Sequence, residues 1–312
     1  MNRTEFLKNS LLATGTLVAG SSINALAVKA SESAGNAILA GKPFNLDYAP
    51  HEGTFAGHAG KVFTDQIRFM HNQGFRSIED NGYLARPVAE QTQIGNLLEK
   101  LGMRMGVFVV DGGDNWKTSL TTGKKEFKDH FVDTCKRSLE AVKRCDAKWL
   151  TVVPGFNERK LPYGIQMANV MDAMRAGAEV FEPHGLVMVL ETLSDTPELF
   201  LQQTHETYSL CKAVNSPSCK ILFDIYHMQR TEGNLLINID RCWDEIAYIQ
   251  IGDNPGRKEP TTGEINYKNI FKHLYEKGYK GVMGMEHGNS QKGKEGEARV
   301  IQAYRESDNF ID

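Results

Sequence analysis

Four oxygen-bearing side chains each follow a short apolar run in the second half of the chain. They are separated by 33, 26 and 36 residues along the sequence and are Glu191, Asp224, Gln250 and Glu286. If the apolar runs are parallel β-strands, their carboxyl ends meet at one edge, and these side chains converge there. Three carboxylates this close repel one another unless a cation or protons intervene. Because all-oxygen ligands select a hard divalent cation, the pattern predicts a site for Mg²⁺ or Mn²⁺.

Two of these carboxylates, Glu191 and Glu286, are also predicted to be catalytic. A carboxylate within hydrogen-bond reach of a carbon-bound proton can act as a general base when its placement and pKa suit. We expect the two to flank the ligand and transfer protons, with no prediction of which one abstracts. The alternative is that each polar residue only ends its strand or pairs with a neighbouring helix.

The segments that must position these residues alternate between short apolar runs and longer amphipathic stretches, as in βα units. Eight units of about 34 residues each have the size of the repeat in a (β/α)8 barrel. The competing fold is a doubly wound open sheet, but no Gly-x-Gly-x-x-Gly follows an early strand. The pattern therefore predicts an α/β fold, a single-domain (β/α)8 TIM barrel. Its strands are predicted at 44–48, 77–79, 103–109, 149–153, 186–190, 221–223, 247–251 and 282–285, and its helices at 61–72, 88–101, 125–144, 167–181, 204–214 and 268–277.

The first thirty residues have the order of an export signal. Arg3 and Lys8 precede a mildly apolar stretch at 11–19, and Ala25-Leu26-Ala27 is a small-x-small cleavage site. We predict a signal peptide at 1–30, a linker at 31–41, the barrel at 42–312, and a periplasmic location in a bacterium. The alternative is an amphipathic first helix of a cytoplasmic protein. The Sec and twin-arginine routes both stay open.

The overall composition limits the classes of binding partner that are expected. The 312 residues carry 36 basic and 39 acidic side chains, for a formal net charge of −3. A nucleic-acid-binding surface needs a basic surplus, so no nucleic-acid partner is expected. No run of about 18 apolar residues occurs, so no stable membrane span is expected. We expect a small-molecule partner, and the sequence leaves open whether the chain forms a homo-oligomer.

Two motifs resemble those of the hydroxypyruvate isomerases. LFDIYHMQ at 222–229 is similar to their sixth-strand motif. YIQIGDNPGR at 248–257, continued by EP at 259–260 and GEINY at 263–267, is similar to their seventh-strand signature. The family belongs to the xylose isomerase-like barrels, which include ketose 3-epimerases. The resemblance is strongest over residues 186–288.

This resemblance implies a metal-dependent isomerase that moves a carbonyl through an enediolate. The implied reaction converts hydroxypyruvate, a hydroxy-keto acid, to 2-hydroxy-3-oxopropanoate (tartronate semialdehyde). By position, Glu191, Asp224, Gln250 and Glu286 match the metal ligands of the family, and epimerase relatives usually have His in place of Gln250. Two alternatives stay open: an exported ketose 3-epimerase or keto-sugar lyase on the same metal site, and a sugar-binding barrel without turnover.

Four further residues are predicted to contact the substrate. His227 and Arg257 match substrate-contacting positions in the resembling family, and Arg257 is expected to grip a carboxylate with two parallel hydrogen bonds. His227 reaches the site only if its strand stops near Asp224. Glu79 ends the second predicted strand and His51 follows the first, so both should face the barrel mouth. Each of the four has a plainer alternative, as a buried polar group or a solvated loop residue.

Overall fold

The structure is a computed structural model that describes residues 41–311. In this part of the chain, strands and helices alternate as the sequence predicts. The strands are β1 (Asp47–Ala49), β2 (Ser77–Ile78), β3 (Arg104–Met105), β4 (Val107–Val109), β5 (Trp149–Val152), β6 (Val187–Glu191), β7 (Cys219–Asp224), β8 (Ile246–Gln250) and β9 (Val282–Gly284). The prediction of the strands is confirmed, with ends that shift by up to three residues.

The strands close into a barrel. Seven form one parallel sheet in the order β1-β9-β8-β7-β6-β5-β4, and β2 pairs with β3. The Glu79 N–H donates to the Pro50 carbonyl after β1, and the Asp80 N–H donates to the Val107 carbonyl in β4. These bonds join the end of β2 to both edges of the seven-stranded sheet. The predicted TIM barrel is therefore confirmed.

One predicted strand is interrupted. The segment 103–109 was expected to be continuous, but it forms β3 and β4 on either side of Gly106. A Cβ atom at Gly106 would overlap the Tyr248 hydroxyl and crowd the Ile78 carbonyl oxygen. Glycine therefore leaves room for the Tyr248 side chain inside the barrel. Together, β3 and β4 take the place of one barrel strand.

The helices lie between the strands in sequence. They are α1 (Ala56–Ala59), α2 (Phe63–Asn72), α3 (Val88–Leu101), α4 (Lys125–Cys145), α5 (Tyr163–Phe181), α6 (Thr204–Val214), α7 (Ile225–Thr231), α8 (Leu235–Cys242), α9 (Tyr267–Glu276) and α10 (Gly293–Asp308). The six predicted helices are present as α2, α3, α4, α5, α6 and α9. The sequence reasoning missed α1, α7, α8 and α10, and α7 proves important for the site.

Alternating strand residues build two apolar layers. The side chains inside the barrel are Ala49, Val107, Trp149, Val187, Val189, Leu222, Tyr248 and Val282. The intervening residues, such as Leu190 and Phe223, belong to the larger cluster between strands and helices. Because residues two apart on a strand face the same side, the inward positions continue from Val189 to Glu191 and from Leu222 to Asp224. The barrel itself thus aims these carboxylates at its mouth.

Two further expectations concern export and the membrane. The predicted signal peptide at 1–30 and nearly all of the linker at 31–41 lie outside the described residues. Within residues 41–311, no helix is both long and apolar enough to cross a bilayer.

Candidate active site

The strand register places the predicted site residues at one end of the barrel. Asp224 at the end of β7 pairs with Gln250 at the end of β8. Gln250 in turn pairs with Gly284 in β9, two residues before Glu286. Glu191 ends β6 and pairs with Leu222, two residues before Asp224. All four therefore occupy inward-facing positions at the carboxyl ends of four neighbouring strands.

Asp224 ends a strand and begins a helix. Its Oδ1 accepts the backbone N–H groups of Tyr226 at 2.7 Å and His227 at 3.2 Å, so the carboxylate is the N-cap of α7. An N-cap oxygen satisfies helix N–H groups that have no partner within the helix. The chain turns at once, which brings His227 back beside Asp224. The strand therefore ends at Asp224, which allows His227 to face the mouth of the barrel.

A compact group of possible ligand atoms results. Glu191, Asp224 and His227 are all buried, and each offers one atom within 4.8 Å of the other two. Among the acidic and histidine side chains, this group differs from the predicted set because it includes His227 and lacks Glu286. His227 Nε2 lies 3.7 Å from Asp224 Oδ2, which is too long for a hydrogen bond.

The oxygen donors nevertheless fit a hard divalent cation. Glu191 Oε1 and Gln250 Oε1 are buried and have no hydrogen-bond partner among the described residues. Asp224 uses Oδ1 for the helix cap, which leaves Oδ2 facing the site. Unpartnered buried oxygens are costly unless something binds them. The donor set therefore suits Mg²⁺ or Mn²⁺ at Glu191, Asp224 and Gln250.

Glu286 is held differently from the other three. Its Oε1 accepts from Asn81 Nδ2 at 3.1 Å, and its Oε2 accepts from Arg257 Nη2 at 2.8 Å. Both carboxylate oxygens are thus already hydrogen-bonded to side chains. As a metal ligand, Glu286 would have to share one of these oxygens with the cation.

Gln250 is oriented by Glu79. Glu79 Oε1 accepts from Gln250 Nε2 at 2.9 Å, and Oε2 accepts from the Tyr248 hydroxyl at 2.9 Å. Because the Gln250 amide nitrogen donates to Glu79, its carbonyl oxygen is left free for another partner. Gly284 makes the space for this carboxylate, since a Cβ atom there would overlap Glu79 Oε2. Glu79 lies at the mouth as expected, but both of its oxygens are bonded to protein groups.

Arg257 enters the site from the loop after β8. Its Nη2 donates to Glu286 Oε2 at 2.8 Å and to Asp224 Oδ2 at 3.2 Å, and its Nε donates to the Glu286 carbonyl at 3.1 Å. Its guanidinium lies over the Tyr226 ring, 5.0 Å from the centroid. Among the described residues, Nη1 makes no hydrogen bond, and Asp195 Oδ1 lies 4.0 Å from it. To hold a substrate carboxylate with two parallel hydrogen bonds from Nη1 and Nη2, Arg257 must therefore give up the Nη2 bond to Asp224 or to Glu286.

His51 lines a cleft that opens beside Glu286. The cleft measures about 380 Å³ and is lined by His51, Glu52, Glu79, Asp80, Asn81, Gly82, Arg86 and Glu286. The two ring nitrogens of His51 face the backbone carbonyls of Glu52 at 2.7 Å and His287 at 3.1 Å. His51 lies where it was predicted to lie, with a backbone carbonyl oxygen facing each of its ring nitrogens.

Burial and crowding of like charges shape the ionisation of the site. Burial, reinforced by the Asp224 carboxylate, raises the pKa of Glu191 well above its usual value. Burial and the Glu191 carboxylate do the same to the pKa of Glu286. Burial raises the pKa of Glu79 to about 7. These groups hold protons more readily than ordinary carboxylates, and a bound cation would oppose that tendency.

The sequence reasoning missed three residues that meet the site. Ser194 and Asp195 lie in the loop after β6, where Ser194 contacts His227 and Asp195 lies near Arg257. Such contacts depend on the conformation of the loop, which the sequence alone does not predict. Asn81, which binds Glu286, carries a signal that could have been used: it is two residues past Glu79 and so continues its inward-facing row.

Comparisons with known proteins agree with this architecture. A family model described as a xylose isomerase-like TIM barrel matches residues 67–307. The chain is 36% identical to hydroxypyruvate isomerase of Escherichia coli (strain K12) over 122 residues, which are 38% of this chain and 47% of that protein. It is 31% identical to 2-oxo-tetronate isomerase of Cupriavidus necator over 233 residues, 72% of this chain and 87% of that protein.

Solved structures are similar over most of the chain. A protein described as AP endonuclease, family 2, from Brucella melitensis superposes with a TM-score of 0.72 and 24% identity. The match covers 82% of this chain and 98% of that one. At this identity, the likeness shows the shared fold alone.

Proposed function

This chain belongs to the xylose isomerase-like TIM barrel family and is an isomerase, and we propose that it isomerises a small hydroxy-keto acid with a divalent metal ion. The observation that carries the proposal is the set of buried oxygens at the barrel mouth. Glu191 Oε1 and Gln250 Oε1, beside Asp224 and Glu286, have no hydrogen-bond partner within residues 41–311. Such a cluster is unfavourable by itself and suits a cation with a bound oxygen-rich substrate.

The proposed site divides its work among these residues. Glu191, Asp224 and Gln250, with one shared oxygen of Glu286, would hold Mg²⁺ or Mn²⁺. When bound, the ion supplies a positive charge that offsets negative charge developing on substrate oxygens. Glu79 keeps the Gln250 amide turned so that its oxygen faces the ion site. Asn81 and Arg257 fix the Glu286 carboxylate in one orientation.

Proton transfer is assigned to Glu191 and Glu286. Moving a carbonyl between neighbouring carbons requires removal of a carbon-bound proton and delivery of a proton to the adjacent carbon. Glu191 ends β6 and Glu286 follows β9, so the two carboxylates flank the mouth of the barrel. This placement suits one group that removes the proton and one that returns it.

The charged residues that line the cleft beside Glu286 restrict the charge that the other end of the substrate can carry. Arg86 is the cation that lines it, and this side chain already pairs with Asp80, Glu52 and Glu90. A second anionic group, such as a phosphate, would be repelled by these carboxylates. We therefore propose that the substrate carries its carboxylate near Arg257 and an uncharged, hydroxylated tail in the cleft.

Hydrogen exchange measured by NMR in heavy water tests the function. The Mg²⁺- or Mn²⁺-loaded protein is incubated with hydroxypyruvate, with 2-oxo-tetronate and with a neutral ketose, and a chelator-treated sample is the control. We expect solvent deuterium to enter the carbon beside the carbonyl of an acid substrate, and only in the metal-loaded sample. Exchange confined to the ketose would favour the epimerase alternative. Ligand binding without any exchange would favour a binding protein.

Arg257 separates an acid substrate from a neutral one. We expect Arg257→Lys to lower kcat/KM for the acid substrate by about 10-fold or more, because lysine keeps the charge but loses the planar fork. Arg257→Met should cost more, because it removes the charge as well. The same variants assayed on the neutral ketose are the matched control. An equal loss on both substrates would mean that Arg257 acts only by holding Asp224 and Glu286, and would contradict the carboxylate role.

A further inference from the structure

The ring of His227 is completely buried at the start of α7. It faces the loop after β6 on one side and the carboxylates on the other. Its Nδ1 lies 3.2 Å from the backbone nitrogen of Ser194 and 2.7 Å from the Ser194 hydroxyl oxygen. Its Nε2 has no hydrogen-bond partner among the described residues.

These contacts determine where the ring carries its proton. A hydroxyl can donate or accept, so the contact with Ser194 Oγ is ambiguous. The backbone N–H can only donate, and its hydrogen points at Nδ1. Nδ1 must therefore be the unprotonated nitrogen, with a lone pair that accepts from Ser194. A ring whose Nδ1 is unprotonated is neutral, so its single proton sits on Nε2.

A protonated Nε2 cannot be a metal ligand, because its lone pair belongs to the aromatic ring. It is instead a hydrogen-bond donor that lacks an acceptor. The oxygens facing it, Asp195 Oδ2 and Asp224 Oδ2, are both 3.7 Å away, beyond hydrogen-bond distance. A buried donor without an acceptor is costly, and a ligand oxygen between these groups would satisfy it.

We propose that Ser194 is a positioning residue that holds His227 as the Nε2–H tautomer and so keeps the ring outside the metal coordination. The Nε2–H group is then free to make the substrate contact that the sequence predicts for His227. The role of the substrate oxygen rests on the proposed isomerase function. The tautomer of His227 and its exclusion from the metal coordination do not depend on that function, because they follow from the Ser194 contacts. The compact group of three potential ligands thus divides into two carboxylates that bind metal and one histidine that binds substrate.

The tautomer is tested directly by nitrogen NMR. The full chain is labelled with ¹⁵N in its histidine rings, and the His227 signals are assigned by their loss in His227→Gln. We expect an unprotonated Nδ1 and a protonated Nε2, both with and without Mg²⁺. A proton on Nδ1, or an Nε2 signal that changes to the unprotonated type when the metal is added, would overturn the proposal. This measurement needs no substrate, so it remains decisive if the proposed reaction is wrong.

Variants test the positioning role. Ser194→Ala removes the hydroxyl but keeps the backbone donor, so we expect kcat/KM to fall roughly 5- to 10-fold, about the value of one hydrogen bond. Ser194→Thr keeps the hydroxyl and should restore most of the loss. Metal affinity measured by calorimetry should stay within about twofold in Ser194→Ala and in His227→Gln. A tenfold loss of metal affinity in His227→Gln would show that His227 is a ligand and would contradict the proposal.

Discussion

Glu191→Gln and Glu286→Gln should each slow exchange of the substrate carbon-bound proton with solvent deuterium by about 100-fold or more. Glutamine keeps the size of the side chain and one oxygen donor, but it removes the base. A general base typically contributes about 10²- to 10⁴-fold to such a step. The structure adds a reason to expect the effect at Glu191, because its Oε1 is buried and accepts no hydrogen bond from the part of the chain that the structure describes.

The matched control for these variants is Glu245→Gln. Glu245 is also a buried carboxylate, but it precedes β8 at the opposite end of the barrel and pairs with Lys220 at 2.6 Å. The same substitution there should leave the exchange rate of the folded protein within about twofold. If both site variants exchange at the wild-type rate with full metal occupancy, the base lies elsewhere. Glu79, whose pKa burial raises to about 7, would then be the next group to replace.

Glu286 is expected to show a second effect that Glu191 lacks. Its two oxygens accept from Asn81 and Arg257, and a glutamine can satisfy only one of these donors with its single oxygen. Glu286→Gln should therefore also loosen Arg257 and raise KM for an acid substrate. Glu191→Gln disturbs no such pair and should act mainly on kcat. Rate and binding measured together separate the two roles.

The barrel could be predicted because its strands are short apolar runs between amphipathic helices. The inward or outward direction of each residue then follows from the two-residue period of a strand. This is why the sequence alone places Glu191, Asp224 and Gln250 at one end of the barrel. The reasoning needs only local sequence and one general property of parallel barrels.

The helices that were missed have weaker patterns. α7 is only seven residues long and starts directly at the strand end, with Asp224 as both the last strand residue and the N-cap. An aspartate before a short apolar stretch is an N-cap signal, but here the same residue was interpreted only as a metal ligand. α10 is mostly polar, and its buried apolar side chains Val300, Ala303 and Tyr304 form a narrow stripe. Such a stripe is easily taken for loop sequence.

The partners of the site residues could not be predicted, because they come from distant loops. Ser194 meets His227 across 33 residues, and Asn81 meets Glu286 across 205. No periodic pattern encodes these distances along the chain. The same limit applies to Glu79, because its hydrogen bonds with Gln250 and Tyr248 could not be predicted from the sequence. The sequence predicts which side chains reach the mouth of the barrel, whereas the structure shows which of their atoms already form hydrogen bonds within the protein.

Replacing Asp224 should weaken binding of Mg²⁺ or Mn²⁺ by at least about tenfold, because the remaining donors lose a charged oxygen. Asp224→Ala removes two carboxylate oxygens that have different contacts in the structure. Oδ2 faces the proposed ion site, while Oδ1 caps α7 through the N–H groups of Tyr226 and His227. Loss of an N-cap alone costs about 0.5–2 kcal/mol of stability. Asp224→Asn keeps an oxygen for the cap and removes only the charge.

We therefore expect both Asp224 variants to lose metal affinity, but only Asp224→Ala to lose the cap and melt at a lower temperature. Asn266→Ala is the control for capping, because the Asn266 side chain caps α9 by accepting the Asn269 N–H at 3.2 Å. It should lower the melting temperature without changing the metal affinity. Calorimetric titration and elemental analysis after dialysis measure the affinity and the occupancy. One tightly bound ion per chain in Asp224→Asn, as in the wild type, would show that Asp224 is a helix cap and not a ligand.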